Sequence, residues 1–190
     1  MLRICYWGLN NMKNSDSHPI RISEINLGSK KLGLSFCPGK FQPNALSGAW
    51  NRSLDKDLKK IKNQGYDIIV SLIEGQEFED LQVNELQNGA VDNFEMKWIW
   101  APIVDGDVPI KPEAFIGLNS VIDLLESEHS IFVHCKGGLG RAGTIAAWLL
   151  THNGRTAEDA ITEIRKVRKG AIENSKQYDW IKMNSRKRLV

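Results

Sequence analysis

The segment His134-Cys135-Lys136-Gly137-Gly138-Leu139-Gly140-Arg141 constrains this chain more than any other. Five residues, three of them glycine, separate Cys135 from Arg141, and the apolar run Ile131-Phe132-Val133 leads straight in. A helical run begins near Arg141. A strand, a Gly-rich loop and a helix in that order build an anion pocket from backbone N–H groups and a helix N-terminus. A cysteine on the floor of such a pocket has its thiolate stabilised by the same donors, which makes it a nucleophile near neutral pH. Arg141 adds a planar fork able to grip two oxygens of one phosphate. The loop is not of the Walker type, which ends in Gly-Lys-Ser/Thr, because Lys136 is misplaced and Arg141-Ala142 stands where the magnesium-binding hydroxyl belongs.

The 190 residues suit a single domain with a sizeable core. A hydrophobic fraction of 42% and a charged fraction of 25% are those of a water-soluble globular protein. A net charge of +2 gives no reason to expect nucleic acid or a membrane surface as partner. Three cysteines, Cys5, Cys37 and Cys135, without CxxC spacing, point to neither a disulfide framework nor a zinc site and fit a reducing compartment. With no apolar run of membrane-spanning length and no long apolar core near residue 1, a cytoplasmic protein is expected.

Residues 1–18, with their polar stretch from Asn10 to His18, read as a loosely attached leader, and 19–190 as one domain. Ile20–Asn26 and Leu32–Cys37 read as strands, the second closed by Pro38-Gly39. Leu54–Asn63 has helical spacing and stops at Gly65. Tyr66–Ile73 is apolar enough for a strand covered on both faces. Phe78–Asn88 reads as a helix, and Met96–Val104 as a strand with Trp98 and Trp100 on one side. Pro112–Glu126 is an amphipathic helix, followed by the Ile131–Cys135 strand and an Ala142–Thr151 helix. Thr156–Val167, capped by Thr156, and Asn174–Arg188 are the last helices. Alternating strands and helices predict an α/β fold with parallel strand pairs. Ligands of such sheets bind beyond the carboxyl ends of strands, where Cys135 lies.

The signature His134-Cys135 to Arg141 is accompanied by Leu34-Ser35-Phe36-Cys37-Pro38-Gly39-Lys40-Phe41, by Pro102-Ile103-Val104-Asp105-Gly106, and by Gly170-Ala171-Ile172 with Lys176-Gln177-Tyr178. Together they resemble the cysteine-dependent dual-specificity protein phosphatases, most closely the kinase-associated (cyclin-dependent kinase inhibitor-type) branch, from Pro19 to Leu189. The resemblance implies a protein tyrosine phosphatase-like fold, with a central, mostly parallel sheet flanked by helices on both faces. It implies no metal and no other cofactor, and a cleft shallow enough for phosphotyrosine and phosphoserine or phosphothreonine. A phosphoprotein is the expected partner, a protein kinase among the candidates, and a monomer without nucleic acid or membrane is the expected state.

In that scheme Cys135 attacks phosphorus while Lys136, Gly137, Gly138, Leu139, Gly140 and Arg141 hold the phosphate. Asp105 is the candidate general acid, with Asp107 its rival in the same loop; Asp-Gly-Asp is also an ordinary turn composition. Gln177 is either a water-positioning residue, as the resemblance implies, or an exposed helix residue. His134 is expected to order the loop rather than donate a proton, and Lys136 either favours anionic substrates or is simply solvated. Most relatives carry Ser or Thr after the arginine, whose hydroxyl bonds the departing sulfur; this chain has Ala142. Losing a hydrogen bond to a charged group costs about 1.5–3 kcal/mol, or roughly ten- to a hundredfold in rate. Slow breakdown of a phosphocysteine is the consequence, and Thr144 lies too far along the helix to substitute. The basic runs Arg165-Lys166, Arg168-Lys169 and Arg186-Lys187-Arg188 read as solvated helix faces, with a docking patch as the alternative. Cys37 and Cys135 are a candidate protective disulfide on oxidation. The alternatives are a phosphoinositide phosphatase of the same superfamily, a rhodanese-like or arsenate-reducing enzyme, and a phosphoprotein-binding module with weak turnover.

Overall fold

A computed structural model describes residues 12–190 of the chain. Five strands form the central sheet, in the order β1-β2-β7-β5-β6. They are β1 (Ser23–Leu27), β2 (Lys30–Phe36), β5 (Ile68–Ser71), β6 (Lys97–Trp100) and β7 (Ile131–Cys135). Only the edge strand β1 is antiparallel to its neighbour. A two-stranded ribbon, β3 (Phe41–Gln42) with β4 (Trp50–Asn51), stands apart from the sheet. The helices are α1 (Leu54–Asn63), α2 (Gly75–Asp80), α3 (Leu86–Asn88), α4 (Pro112–Leu124), α5 (Gly140–His152), α6 (Ala157–Val167) and α7 (Ser175–Asn184).

Strand side chains alternate between two buried clusters, as a pleated strand covered on both sides requires. Ile131, Val133 and Cys135 of β7 face the cluster built with α4 to α7, whereas Phe132 faces the cluster built with α1. That alternation puts Cys135 on the α5 side of the sheet and turns His134 to the opposite one. Nearly every residue of α5 is buried, because it lies between the sheet and helices α6 and α7. Helix α1 spans the residues its periodicity predicts, with Ser53 accepting from Lys56 N–H at its start.

Four local expectations need correction. The Phe78–Asn88 helix is broken: α2 stops at Asp80, the chain turns with Gln82 at φ 56°, and α3 resumes into a π-helical turn over Gly89–Asn93. The break lets Phe41 N–H bond Leu81 O at 2.8 Å, which anchors the ribbon to the sheet domain. The Met96–Val104 strand ends at Trp100, and the Asn174–Arg188 helix ends at Asn184. Of the leader expected over 1–18, residues 1–11 lie outside the described residues. Residues 12–18 are held in the domain: Lys13 bridges to Trp50, Ser15 Oγ accepts from Ser53 N–H at 3.0 Å, and Arg52 donates to His18 O at 2.7 Å.

Candidate active site

Strand β7 ends at Cys135 in the middle of the sheet, between β2 and β5. The chain then turns through Lys136–Leu139 into α5. Gly138 makes the turn possible, with φ +73° and a backbone packed so closely on Ser35 and Phe36 that a Cβ would overlap them. Its N–H donates to Cys135 Sγ at 3.2 Å. The sulfur therefore lies at the mouth of a backbone-lined turn at a helix N-terminus, where negative charge is favoured.

Arg141, 1% exposed, is clamped rather than free. Its Nη1 donates to Glu77 Oε2 at 2.6 Å and to Ile103 O at 2.9 Å; its Nη2 donates to Glu77 Oε1 at 3.0 Å and meets Asp105 Oδ1 at 2.9 Å. Nε is buried and has no protein partner among the described residues. Burial opposes the Glu77 charge, but the hydrogen bonds and attraction of Arg141 overcome it and hold the carboxyl below its ordinary range. Both groups are thus ionised at neutral pH, and the guanidinium is fixed in orientation with one donor to spare.

A cleft of about 740 Å³ opens over Cys135, with Lys136, Asp105, Arg168 and Trp50 on its walls. Asp105 is 68% exposed, while its neighbour Asp107 is engaged elsewhere. Asp107 accepts from Lys176 at 2.5 Å and from Val108 N–H at 2.6 Å, bonds that hold its carboxyl below the usual range. Asn174 caps α7 and also donates to Gly106 O at 2.9 Å, tying the Asp105 loop to that helix. Gln177 is buried: its Oε1 accepts from Glu173 N–H at 2.9 Å, its Nε2 reaches Asp107 O at 3.4 Å, and its amide lies against Gly140. The exposed-helix alternative for Gln177 is therefore wrong.

His134 is fully buried, with Nε2 at 2.7 Å from Ser71 Oγ, which also accepts the Trp98 indole N–H at 2.9 Å. Burial pushes its imidazole down to about 3, so it is neutral and faces away from the cleft. Thr144 gives its hydroxyl to Gly140 O at 2.8 Å, inside its own helix, and Ala142 is buried beside it. Cys37 is one residue beyond the Phe36↔Cys135 pair. Burial raises its thiol well above the ordinary range, which leaves it a poor thiolate. Arg168, read above as a solvated helix residue, instead turns inward and donates from Nε to Gly138 O at 3.0 Å. Glu77, Ser71, Lys40 and Arg168 all belong to the site and escape a linear reading. Glu77 follows a strand at its carboxyl end, a place where function concentrates, but Glu74, Glu79 and Asp80 lie in the same stretch.

Residues 47–155 match the family model described as "Polymorphic toxin system, DSP-PTPase phosphatase". This chain belongs to the dual-specificity (DSP-PTPase) phosphatase family. The phosphatase is 32% identical over 177 residues to cyclin-dependent kinase inhibitor 3 of Homo sapiens, covering 86% of this chain and 77% of that protein. The Rattus norvegicus protein of the same name is 30% identical over 182 residues, covering 88% and 80%. Among solved structures, kinase-associated phosphatase with its catalytic-site cysteine replaced by serine superposes with a TM-score of 0.73 at 27% identity, covering 86% of this chain and 93% of that one. The fold is that of the protein tyrosine and dual-specificity phosphatases, and the chain is a cysteine-dependent phosphatase.

Proposed function

We propose that this phosphatase hydrolyses phosphotyrosine and phosphoserine or phosphothreonine in phosphoproteins, with Cys135 as nucleophile. The observation that carries the reading is that the Cys135 sulfur accepts from Gly138 N–H on the wall of the cleft, while Arg141, at the start of the helix that follows and clamped by Glu77, is near enough for its charge to act on that sulfur. In the first step the sulfur–phosphorus bond forms as the phosphorus–oxygen bond to the side chain breaks. Loop N–H groups and Arg141 hold the equatorial oxygens, and Asp105 protonates the leaving oxygen. In the second step water attacks phosphorus, Asp105 takes its proton, and the thiolate leaves. Gln177, whose amide packs on Gly140, is the residue we assign to orienting that water. Asp105 is preferred to Asp107 because it lines the cleft and is exposed there, so that an entering phosphate that takes over Arg141 frees its carboxyl to carry the proton, whereas Asp107 does not line the cleft and is bonded to Lys176. Ala142 offers the departing sulfur no hydroxyl, so breakdown of the phosphocysteine is the slow step. The names of the relatives make a protein kinase a candidate partner. The matched family's description makes a role as the phosphatase of a polymorphic toxin system a second reading of where the same chemistry operates.

Acid-quenched mass spectrometry during turnover of an aryl phosphate tests this. An added phosphate on Cys135, absent in Cys135→Ser, supports it; continued cleavage with no adduct overturns it. Asp105→Asn should retain a slow, pH-flattened rate. Capture of cellular phosphoproteins by Cys135→Ser, followed by mapping of the phosphorylated side chains, distinguishes tyrosine from threonine substrates.

A further inference from the structure

Lys40 is a buried cation with no part in the reaction described above. It follows Gly39 in the turn after β2, is 3% exposed, and lines the cleft over Cys135. Its ammonium donates to Gln42 Oε1 at 3.0 Å and to Lys136 O at 3.3 Å, the carbonyl that also accepts Cys37 N–H at 3.4 Å. The Nζ stands 5.2 Å from the Phe36 ring centre and 5.5 Å from that of Trp50. Arg52 lies against the same two rings, at 4.9 and 5.4 Å, but its charge is matched by Asp57 at 2.7 Å. Among the described residues no carboxylate stands within ion-pair distance of Lys40. A buried charge without a counter-ion is costly, so a partner is expected. The charged and titratable groups facing Lys40 are Cys37 from the turn, Cys135 and Lys136 from the loop, and Arg52 beyond β4. Two are cations, and Cys37 is driven toward its neutral form by burial. The remaining source of negative charge is the Cys135 sulfur and whatever anion it receives.

We infer that Lys40 is a positioning residue of this active site: its ammonium fixes the first peptide of the nucleophile loop through Lys136 O and supplies a positive charge whose counter-ion is the thiolate or the bound phosphoryl group. Turning the Lys136 carbonyl outward turns the following N–H toward the opposite side of its peptide plane. Arg168 holds the Gly138 carbonyl in the same way from the other wall. Burial pulls Lys40 down to about 8, so its charge is present at neutral pH and lost just above it.

The inference rests on the reading of Cys135 as nucleophile, and the deciding measurement, alkylation, needs no phosphatase turnover. Cys135 is alkylated with iodoacetate, an anion, and with neutral iodoacetamide, and the modified peptide is quantified from pH 6 to 10. The ratio of the two rates cancels the thiolate fraction and reads the local charge. In the native chain the ratio falls about fivefold through a step near pH 8. Lys40→Met gives a low, flat ratio, and Lys40→Arg a high ratio that stays flat to pH 10. With an aryl phosphate at pH 7, Lys40→Met raises KM by about tenfold, with a smaller effect on kcat, and Lys40→Arg restores it. A native ratio without a step, or a step that persists unchanged in folded Lys40→Met, overturns the assignment. If Lys40→Met does not fold, the native and Lys40→Arg profiles decide. A chain that alkylates as described but never cleaves phosphate keeps the Lys40 assignment and sinks the catalytic reading.

Discussion

Arg52 and Arg141 each meet a buried carboxylate through two parallel N–H···O contacts, 2.7 and 2.8 Å to Asp57 and 2.6 and 3.0 Å to Glu77. At Arg52 every nitrogen has a protein partner, the remaining terminal one donating to His18 O at 2.7 Å, which locks residues 12–18 and the ribbon onto α1. At Arg141 the same clamp leaves Nε without a protein partner among the described residues and one edge beside Asp105. A satisfied buried pair is an architectural element, whose loss leaves an uncompensated charge. A pair with one donor to spare holds a rigid, oriented cation for a ligand.

Exchanging the two arginines for lysine should break the comparison most visibly. Arg141→Lys is expected to lower kcat/KM for an aryl phosphate by about a thousandfold, because a point charge cannot reproduce the fork. Arg52→Lys should lower unfolding free energy by about 3 kcal/mol in chemical denaturation while changing kcat per folded molecule less than about threefold. Equal loss of turnover in both would end the distinction. Glu77→Gln removes the clamp and keeps its shape; kcat should fall by about ten- to a hundredfold, as for a lost charged hydrogen bond.

Adding a donor at the sulfur should act in the opposite sense. Ala142→Ser is expected to speed phosphoenzyme breakdown by about tenfold and shrink the burst seen in rapid-quench experiments. Stability should also depend on acidity through His134. Burial holds its folded value near 3, below the unfolded value of 6.5, so the unfolded chain binds more protons between the two. Stability is then complete above pH 6.5 and falls by about 1.4 kcal/mol per pH unit below it. Denaturation of the native chain and of His134→Gln between pH 4.5 and 7.5 should show that slope only in the former. The smallest change is expected for Asp107→Asn, below about threefold in kcat, since that carboxylate is bonded to Lys176 and not to Arg141.

Much of the fold was legible because its signals are local. The α1 span, the Thr156 cap of α6 and the β7-loop-α5 order come from periodicity, capping chemistry and glycine placement, each carried by neighbours in the chain. The broken Phe78–Asn88 helix was not legible, since its helical spacing hides a turn whose freed Leu81 O is satisfied by Phe41 of the distant ribbon. Arg168 was misread for a similar reason: its basic neighbours give a solvated pattern, whereas Gly138 O, thirty residues earlier, decides where it points.

The order of residues alone determined a cysteine on a strand end, a glycine turn after it and an arginine at the start of the next helix, because these are consecutive and their chemistry is short-ranged. Only the tertiary structure decided that Glu77, sixty-four residues away, orients that arginine, that Asp105 rather than Asp107 meets it, and that Lys40 stands behind the loop. The reason is the strand order: placing β2 and β5 on either side of β7 brings the turns at their carboxyl ends to one cleft, a pairing that no local pattern encodes.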